Sequence, residues 1–490
     1  MTKLPGVPPH SLLVRFAISG LTAISLTGLA AVATPSAVLA ESLRGALNST
    51  YKYNPRLDAE RARLRATDEE VSRANSGYRP TISGSADINY QHNDTRPPSV
   101  NDGDNYPKGY GVNMTQPIFR GFRTMNAVRE AEALVRVGRE TLRTVEQSVL
   151  LEAVTAYMDV VRDQAIVKLR ENNVQVLSRE LKATQDRFSV GEVTRTDVAQ
   201  AQARRAASVS ALDLAQANLK TSRASFERVV GHPPSRLREQ RLPEKLLPRS
   251  LQSALGIGQK EHPAVVAALY REQAARHTVD KTWGELLPTV QLEANYSHRY
   301  DPSRVTNEQE VTTVTGRVNV PLYQGGEVRA RVRQAKHTHV SRLQEIEQNR
   351  TEVQASITSA WSQLVAARAQ LQSDQVQVRA TQTALAGVRE EERVGQRTLL
   401  DVLNAEQEAL NAKVQIVTTE RNLVVAGYNL LATVGRLNVA EIGVSEKVYD
   451  PEVHYQEVRR KWWGIDITRR DGRREHHELW ESHGKNQPMK

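Results

Sequence analysis

The chain has 490 residues, no cysteine and a formal net charge of +10. The absence of cysteine excludes disulfides, thiolate metal sites and thiol nucleophiles. Only 5% of the residues are aromatic, so we expect narrow hydrophobic seams and no single thick core. Basic residues are mixed with acids along the chain and form no concentrated patch, which argues against a nucleic-acid partner.

The N-terminus has the pattern of an export signal. Lys3 and Arg15 precede or open a long apolar run, and Val38 and Ala40 provide small residues at the −3 and −1 positions of a cleavage site. We therefore predict a signal peptide over 1–40 that is cleaved after Ala40. An uncleaved membrane anchor is the alternative, because the run is nearly long enough to span a bilayer.

The remainder of the chain contains an internal duplication. Landmark pairs that lie 204 residues apart are Pro117 with Pro321, Gly121 with Gly325, Gly191 with Gly395, and Gly231 with Gly435. A duplication of this length predicts two structurally equivalent units. We place the first repeat at 41–231, a linker at 232–250, the second repeat at 251–437 and a C-terminal segment at 438–490.

Each repeat is predicted to begin with a helix of about thirty-five residues that ends before Pro80 or Pro288. A β-hairpin follows, over 80–118 in the first repeat and 288–322 in the second. A very long helix, a Val-Gly turn and a helix of about forty residues complete the repeat. At 1.5 Å per residue, a helix over 120–188 is about 100 Å long, which suits a strut or the wall of a tube.

The long helix of the second repeat carries a heptad pattern. Eleven of the fourteen positions spaced alternately by three and four residues from Leu343 to Val388 are apolar, and the exceptions are Arg350, Asp374 and Thr381. This spacing predicts that the helix supercoils against its neighbours. After the turn, two apolar stripes of period seven predict a helix with neighbours on two sides.

The hairpin segments alternate between apolar and polar residues. In the first segment, Ile82, Ala86 and Ile88 share one face, and Ser83 and Asp87 share the other. Period-two alternation over about ten residues predicts strands of the length that crosses a bilayer when tilted. Loops over 91–106 and 301–310 are expected to join them in pairs. A small soluble sheet covered by helices is the alternative.

Four strands are too few to close a water-filled barrel. Open sheet edges do not occur in lipid, so a chain that inserts these strands must borrow others from copies of itself. Three copies would supply twelve strands, which is enough for a duct. The strand count therefore predicts an oligomer.

Several motifs resemble those of TolC-like outer-membrane efflux proteins. They are the junctions QPIFRGF (116–122) and VPLYQGG (320–326), the turns VGEVTRTDV and VGQRTLLDVLNAE, and the helix ends VVGHPP and TVGRLN. The resemblance covers about residues 41–440. It implies a mainly α fold with a small β part, in which a homotrimer forms a twelve-stranded outer-membrane β-barrel continuous with a twelve-helix periplasmic α-barrel. The linker and the C-terminal segment would then lie at the equator of the tube.

The resemblance also implies a function and partners. It implies a passive outer-membrane conduit for efflux or type I secretion, gated at its periplasmic tip. The implied partners are outer-membrane lipid, a periplasmic adaptor of the membrane fusion type, and an inner-membrane ABC or RND transporter that supplies the energy. Most of the mass would lie in the periplasm of a Gram-negative bacterium. The exported cargo and the transporter class stay open.

The two Val-Gly turns have a simple structural interpretation. Gly191 suits a helix C-terminus that needs a left-handed residue. Thr194 then suits the N-cap of the next helix, and Asp197, three residues later, completes a capping box. The residues that repeat this arrangement are Gly395, Thr398 and Asp401.

By resemblance, the same turns form the gate and the tip that docks the adaptor. Asp401 matches an acid that forms an electronegative ring on the channel axis, and Arg397 matches a residue whose polar links hold the tip shut. Asn404 replaces a second acid, which predicts a weaker cation block, and Glu392 stands where some members have a gate tyrosine. Asp197 is assigned to the same constriction. The residues assigned to the docking turns are Val190, Gly191, Thr194, Val394, Gly395 and Thr398, and those assigned to the barrel–helix junctions are Pro117, Gly121, Pro321 and Gly325.

The sequence carries no enzyme pattern, and we predict no catalytic residue, no cofactor and no metal site. The EHHE stretch at 475–478 differs from the HExxH zinc pattern. The KWWG stretch at 461–464 is expected to pack on the equator of the tube, the alternative being contact with a partner. The alternative functions are a non-pore structural periplasmic coiled-coil protein and a basic helical nucleic-acid-binding protein, which the export signal opposes.

Overall fold

The computed structural model describes residues 41–444, 448–469 and 474–475. The signal peptide predicted over 1–40 and most of the EHHE stretch lie outside the described residues. Within the described ranges, every helix is either too short or too polar to qualify as a membrane-spanning helix.

The helices and strands of these ranges follow the same order in the two repeats. The helices are α1 Leu43–Tyr53, α2 Pro55–Asn75, α3 Arg123–Ser189, α4 Arg195–Val230, α5 Leu251–Glu261, α6 Pro263–Trp283, α7 Glu327–Arg393, α8 Leu399–Val434, α9 Val439–Ile442 and α10 Pro451–Val458. The strands are β1 Thr81–Ile88, β2 Gln91–Asn93, β3 Gly103–Asn105, β4 Lys108–Arg120, β5 Thr289–Ser303, β6 Thr306–Asn319, β7 Ile467–Thr468 and β8 Arg474–Glu475.

The single helix predicted at the start of each repeat is wrong, because a proline divides it into two. Helices α1 and α2 meet at Asn54 and Pro55, and α5 and α6 meet at His262 and Pro263. A proline in the first position of a helix loses no hydrogen bond, since the first N–H groups have no partner within the helix. The side chain of Asn54 caps α2 by accepting a 3.0 Å hydrogen bond from the backbone of Arg56.

Two helical hairpins dominate the fold. Helices α3 and α7 have 67 residues each, about 100 Å in length, and α4 and α8 have 36 residues each. Helix α3 packs against α2 and α4 of its own repeat and against α6 and α8 of the other, so it joins the two repeats. Helix α7 packs against α6 and α8.

The predicted heptad seam of α7 is buried over its middle. The buried positions are Ile346, Val353, Ile357, Ala360, Leu364 and Asp374. Asp374, a polar exception in the pattern, is buried because its carboxylate accepts a 2.6 Å hydrogen bond from the Thr419 hydroxyl on α8. A buried carboxylate is stable only when it is hydrogen-bonded or paired. The hydroxyl on the facing helix therefore allows an aspartate to be buried in the apolar seam.

The first hairpin contains a related pair. The buried carboxylate of Asp163 on α3 accepts a hydrogen bond from the Ser222 hydroxyl on α4. Shifted by the repeat offset of 204 residues, these two positions become 367 and 426. The acid–hydroxyl pair of the second hairpin therefore lies one heptad nearer the hairpin turn than that of the first.

A hydrophobic cluster near the middle of α3 holds the linker and the start of the described chain. Tyr157 is fully buried there, and its ring lies 6.4 Å from that of Phe226. The Tyr157 hydroxyl accepts a 3.0 Å hydrogen bond from the backbone of Arg238 and lies 2.9 Å from the carbonyl oxygen of Glu41. Burial raises the pKa of Tyr157 to about 12, so the hydroxyl stays protonated and keeps both contacts.

The four long strands form one antiparallel sheet in the order β1-β4-β5-β6. Residues directly opposite one another in an antiparallel sheet lie on the same face. One rung of the sheet consists of Ile82, Met114, Ala294 and Val314, and the next consists of Ser83, Asn113, Asn295 and Thr313. The rungs therefore alternate between apolar and polar across all four strands, as the sequence predicts.

The loops predicted between the strands are only partly right. The loop predicted over 301–310 is wrong, because β5 and β6 continue into it and leave only residues 304–305 between them. The loop predicted over 91–106 contains the short pair β2 and β3. The longer β5 and β6 extend the four-stranded sheet at the end farthest from the helices, whereas β2 and β3 form a separate two-stranded sheet.

The junctions from strand to long helix need left-handed backbone. Gly121 has φ +61° and approaches Gly284 so closely that an added Cβ would lie 2.2 Å from the Gly284 carbonyl oxygen. Gly325, the equivalent residue of the second repeat, has φ +62° but open space around it. The two repeats therefore share a backbone turn, and only the first turn is tightly enclosed.

The C-terminal segment packs on α2 and α3 through α10. The packing predicted for the KWWG stretch does not hold for its second tryptophan. Trp463 is 86% exposed, and Trp462 is 61% exposed, with the guanidinium carbon of Arg79 4.7 Å from its ring centroid. A short turn that reverses at Gly464 holds both rings away from the helices.

Candidate functional site

The turns at the ends of the two helical hairpins have nearly the same backbone. Gly191 has φ +81° and Gly395 has φ +79°, and each follows the last residues of a 67-residue helix. Glycine adopts this left-handed conformation at little cost, which lets the chain reverse within a few residues. The predicted helix terminations are confirmed.

Both turns are closed by complete capping boxes. The backbone N–H of Asp197 donates to the Thr194 hydroxyl at 3.2 Å, and the Thr194 N–H donates to the Asp197 carboxylate at 2.9 Å. The same two bonds between Thr398 and Asp401 measure 3.3 and 3.1 Å. Each box satisfies N–H groups that have no partner within the helix. The structural interpretation of these residues is therefore confirmed in both repeats.

Apolar side chains project from the tips. Val190 and Val394 occupy the residue before each turn glycine, and they are 76% and 69% exposed. Thr194 and Thr398 are exposed beside them. The ends of the hairpins thus present two similar surfaces, each with an exposed valine and a hydroxyl already used in the cap.

The carboxylate of Asp401 at the second turn is stabilised in its ionised form. Hydrogen bonds from the backbone and hydroxyl of Thr398, and then the charge of Arg397, lower its pKa. Arg397 itself donates a 2.9 Å bond to Glu391, and this contact raises the pKa of Arg397. The second turn therefore carries a fixed negative charge beside an arginine bound within the same turn.

Two polar contacts join the first hairpin to the second near the tips. The guanidinium of Arg187 on α3 lies 2.8 Å from the carboxylate of Glu392 on α7. On the second helices of the hairpins, Arg204 donates a 2.6 Å hydrogen bond to the side-chain oxygen of Asn404. Both residues at which the sequence departs from the family pattern are therefore engaged by an arginine of the other repeat.

A group of acids lies between the hairpins. Glu406 is buried and pairs with Arg389, and its second carboxylate oxygen has no hydrogen-bond partner among the described residues. Burial, and then the charges of Glu406 and Glu392, raise the pKa of Glu180. Negative charge therefore accumulates in the contact between hairpins, partly balanced by arginines.

The structure brings together some predicted site residues and not others. Arg397, Asn404 and Asp401 lie within the second turn or the first turns of α8. No hydrogen bond or ion pair joins Asp197 to Asp401 in the part of the chain that the structure describes. The junction residues Pro117, Gly121, Pro321 and Gly325 lie at the opposite end of α3 and α7, beside the sheet.

The contact between Arg187 and Glu392 is absent from the sequence prediction. One signal was available, because Arg187 lies four residues before Gly191 and Glu392 lies three residues before Gly395. Opposite charges at nearly the same distance from equivalent turns meet if the two hairpins end at the same level. The described residues contain no group of three His, Asp or Glu arranged to hold a metal ion.

Comparisons with known proteins agree with this geometry. The family model for outer membrane efflux proteins matches residues 46–232 and 257–436, one match for each repeat. The chain is similar to the outer membrane efflux protein BepC of Brucella suis, with 39% identity over 92% of this chain and 97% of that protein. It is 24% identical to the outer membrane protein TolC of Escherichia coli over 86% of this chain and 87% of that protein.

A solved structure shows the same fold. The Campylobacter jejuni CmeC outer membrane channel superposes with a TM-score of 0.73, at 15% identity, over 85% of this chain and 89% of that one. At this identity the match supports the fold alone.

Proposed function

Because the chain belongs to the outer membrane efflux protein family and is an outer-membrane export channel, we propose that three copies assemble into one gated duct. In this assembly the sheets form a twelve-stranded barrel in the outer membrane, and the helical hairpins form a periplasmic tube. Residues 41–231 and 251–437 are its two repeats, 232–250 is an equatorial linker, 438–490 is the C-terminal segment, and 1–40 is the export signal.

The open edges of the sheet carry this proposal. Strands β1 and β6 are the edges of the order β1-β4-β5-β6, and each has a partner on one side only. Unpaired backbone groups do not persist in lipid, so each edge requires a strand from another copy. The alternating rungs then place apolar side chains toward lipid and polar side chains toward water.

The polar face suits a water-filled lumen. On this face Arg317 donates two hydrogen bonds of 3.0 Å to the carboxylate of Glu293. A non-pore coiled-coil function does not account for a sheet that is apolar on one face and charged on the other. We therefore favour the duct over the structural alternative.

The gate of the proposed duct lies at the periplasmic tips. Three copies of Asp401 around one axis would form an anionic ring that attracts cations and hinders anions. Arg397 and Asn404 then act as neighbours of the ring, and Asp197 takes the equivalent place in the first repeat. The contacts of Arg187 and Arg204 with the second hairpin hold the tip closed until a partner separates the hairpins.

The docking surface for the adaptor is assigned to the two tip turns. Their exposed valines, and the backbone conformation that the two turns share, offer six similar contacts per trimer, two from each copy. The turns consist of Val190, Gly191, Thr194, Val394, Gly395 and Thr398. An inner-membrane ABC or RND transporter, reached through a periplasmic adaptor, supplies the energy.

Cysteine cross-linking between edge strands tests the assembly. The natural chain has no cysteine, so introduced thiols report without background. Ser83→Cys on β1 is combined with Thr313→Cys or with Thr315→Cys on β6. Oxidation of at least one combination in the outer membrane is expected to give a covalent trimer and no larger species, because the edges of neighbouring copies pair.

A matched control uses a strand that is not at the edge. Asn295 lies on the same rung as Ser83, but β4 separates the two strands. Ser83→Cys with Asn295→Cys should give no cross-link. A purified protein that stays monomeric and forms no covalent species in any combination would overturn the proposal.

A further inference from the structure

The C-terminal segment climbs along α2 toward the sheet. Tyr455 of α10 packs in a cluster with Val71 and Val135, and the ring of His454 lies 2.9 Å from the buried carboxylate of Asp68. The chain then reaches Lys461 near the end of α2. These contacts fix the direction of the segment, because their partners on α2 run from position 68 toward the sheet.

The segment turns back directly beneath the first strand. The carbonyl oxygen of Lys461 accepts hydrogen bonds from Ser72 at 3.3 Å and from Arg79 at 2.8 Å, and Arg79 is two residues before β1. Farther on, the carbonyl oxygen of Thr468 accepts a 2.8 Å bond from Arg65. Since Arg65 lies about 15 Å below the end of α2, the apex of the loop is its end nearest the sheet.

A hydrogen bond and a left-handed glycine close the apex. The ammonium of Lys461 donates a 2.9 Å bond to the carbonyl oxygen of Asp466, and Gly464 has φ +95°. Four large apolar side chains project from this closed turn, each more than half exposed. They are Trp462, Trp463, Ile465 and Ile467.

The loop is also basic. Residues 459–469 contain four arginines and lysines and one aspartate. Arg459 pairs with Glu132 at 3.4 Å and Arg469 pairs with Glu475 at 2.7 Å, whereas Arg460 is exposed. Tryptophan prefers the boundary between lipid tails and headgroups, and clustered basic residues are attracted to acidic headgroups.

We propose that the loop 459–469, the tryptophan loop, rests on acidic phospholipid of the periplasmic leaflet and anchors the channel at a fixed depth. We expect the partner of the loop to be a lipid surface, because the apex lies at the level where β1 leaves the helical part. At this level the loop continues the surface by which the sheet meets the membrane. The charge of the loop complements acidic headgroups. The inference rests on membrane insertion of the sheet, which belongs to the proposed function.

Tryptophan fluorescence tests the position of the loop. The sequence has five tryptophans, and the variant Trp283→Phe, Trp361→Phe, Trp480→Phe leaves only the two in the loop. The full-length protein is reconstituted into vesicles of phosphatidylethanolamine and phosphatidylglycerol that contain lipids brominated either near the headgroup or near the end of the acyl chain. We expect about twofold stronger quenching by the shallow bromine.

Two other outcomes overturn the proposal. Blue-shifted emission without quenching would show that a second copy of the chain or another part of the protein covers the rings. Red-shifted emission without quenching would show that the rings face water. Flotation of the protein with the vesicles and resistance of the strands to protease establish insertion separately, so a failure of the loop is distinguished from a failure of the proposed function.

A second experiment tests the contribution of the positive charges of the loop. The variant Arg460→Gln in the same background keeps the bond from Lys461 to Asp466 and should lose part of the shallow quenching in vesicles with phosphatidylglycerol, because it weakens attraction to acidic headgroups. In vesicles of phosphatidylcholine alone the variant and its parent should be equal. An equal loss in both kinds of vesicle would indicate a disturbed turn and would contradict recognition of acidic lipid.

Discussion

The guanidinium of Arg187 lies 2.8 Å from the carboxylate of Glu392 and joins the tip of α3 to the tip of α7. Each residue precedes a turn glycine of its own repeat by a few positions. Together with the bond from Arg204 to Asn404, the contact ties the two hairpins to each other near their ends. In the proposed gate, opening of the tip requires this ion pair to break.

Charge reversal tests that contact. Glu392→Arg should raise the ion conductance of reconstituted channels, because two arginines would then repel across the hairpins. An exposed ion pair contributes about 0.2–1 kcal/mol, so the open population should rise up to about fivefold. The double variant Arg187→Glu, Glu392→Arg restores opposite charges and should return the conductance toward that of the natural protein. A double variant as leaky as the single one would rule out the pair as a closing contact.

Comparison of Asp401 with Asp197 separates the effect of charge in the proposed ring from the effect of the capping box. Both carboxylates close a capping box with the same geometry. Asp401→Ala should raise single-channel conductance and reduce cation preference, whereas Asp197→Ala should loosen its turn with a smaller effect on selectivity. An unchanged cation preference in the Asp401 variant would assign Asp401 to the cap alone, and an equal loss of preference in both variants would place both carboxylates in the ring.

The buried pair of Asp374 and Thr419 should stabilise the second hairpin. Thr419→Val leaves the carboxylate without this donor, so we expect a loss of about 1–3 kcal/mol, seen as a lower midpoint of thermal unfolding by circular dichroism. Thr418→Val is the control, because the Thr418 hydroxyl bonds only to a carbonyl of its own helix. A melting midpoint unchanged by Thr419→Val would contradict the assigned role.

Glu180 should make the contact between hairpins sensitive to pH. Its pKa is raised above 4.5, chiefly by burial and then by Glu406 and Glu392. The folded contact therefore binds the proton more tightly than the separated hairpins do. The contribution of Glu180 is fully present below pH 4.5 and is lost as the pH rises through the raised pKa.

Glu180→Gln should flatten that part of the pH dependence. The measurement is the thermal midpoint of the reconstituted channel between pH 4.5 and neutral pH, with Glu171→Gln, an exposed acid of the same helix, as the control. A slope that survives Glu180→Gln and disappears with Glu171→Gln would place the titrating group elsewhere.

The two junction glycines should respond differently to the same substitution. Gly121→Ala places a Cβ 2.2 Å from the Gly284 carbonyl oxygen, so little assembled channel should reach the outer membrane. Gly325→Ala has a similar φ but open space, and should cost only the conformational penalty of about 1–2 kcal/mol. Immunoblots of outer-membrane fractions measure the difference, and equal losses would exclude the close approach as its cause.

The long helices and the four strands could be predicted from the sequence, because the spacing of apolar residues shows which face of each element is apolar. The capping boxes could also be predicted, since Thr194 and Asp197 interact within one turn. Pro55 and Pro263 stand at equivalent places in the two repeats, 208 residues apart. The apolar pattern does not reveal that the helix divides there, because the division depends on Asn54 and His262 as N-caps before the prolines.

Contacts between elements were not predictable in the same way. The pairing of Arg204 with Asn404 depends on how α4 and α8 lie relative to each other, and no periodicity within one helix contains that information. The exposure of Trp463 depends on the turn at Gly464 and on hydrogen bonds to α2. The functional roles of the tip residues, and of the tryptophan loop, remain predictions for the experiments above.

The displacement of the buried acid–hydroxyl pairs by one heptad has a consequence for how the chain folds. If the duplicated helices exchanged partners in the same register, Asp163 would face Ala426 and Asp374 would face Ala215. Each carboxylate would then face an alanine methyl group and lose its hydroxyl donor, which is unfavourable for a buried acid, although Asp163 would keep its contact with Arg162. The two repeats of one polypeptide thus differ in the position of their buried polar pair. This difference disfavours pairing of a long helix with the shorter helix of the other repeat while the chain folds.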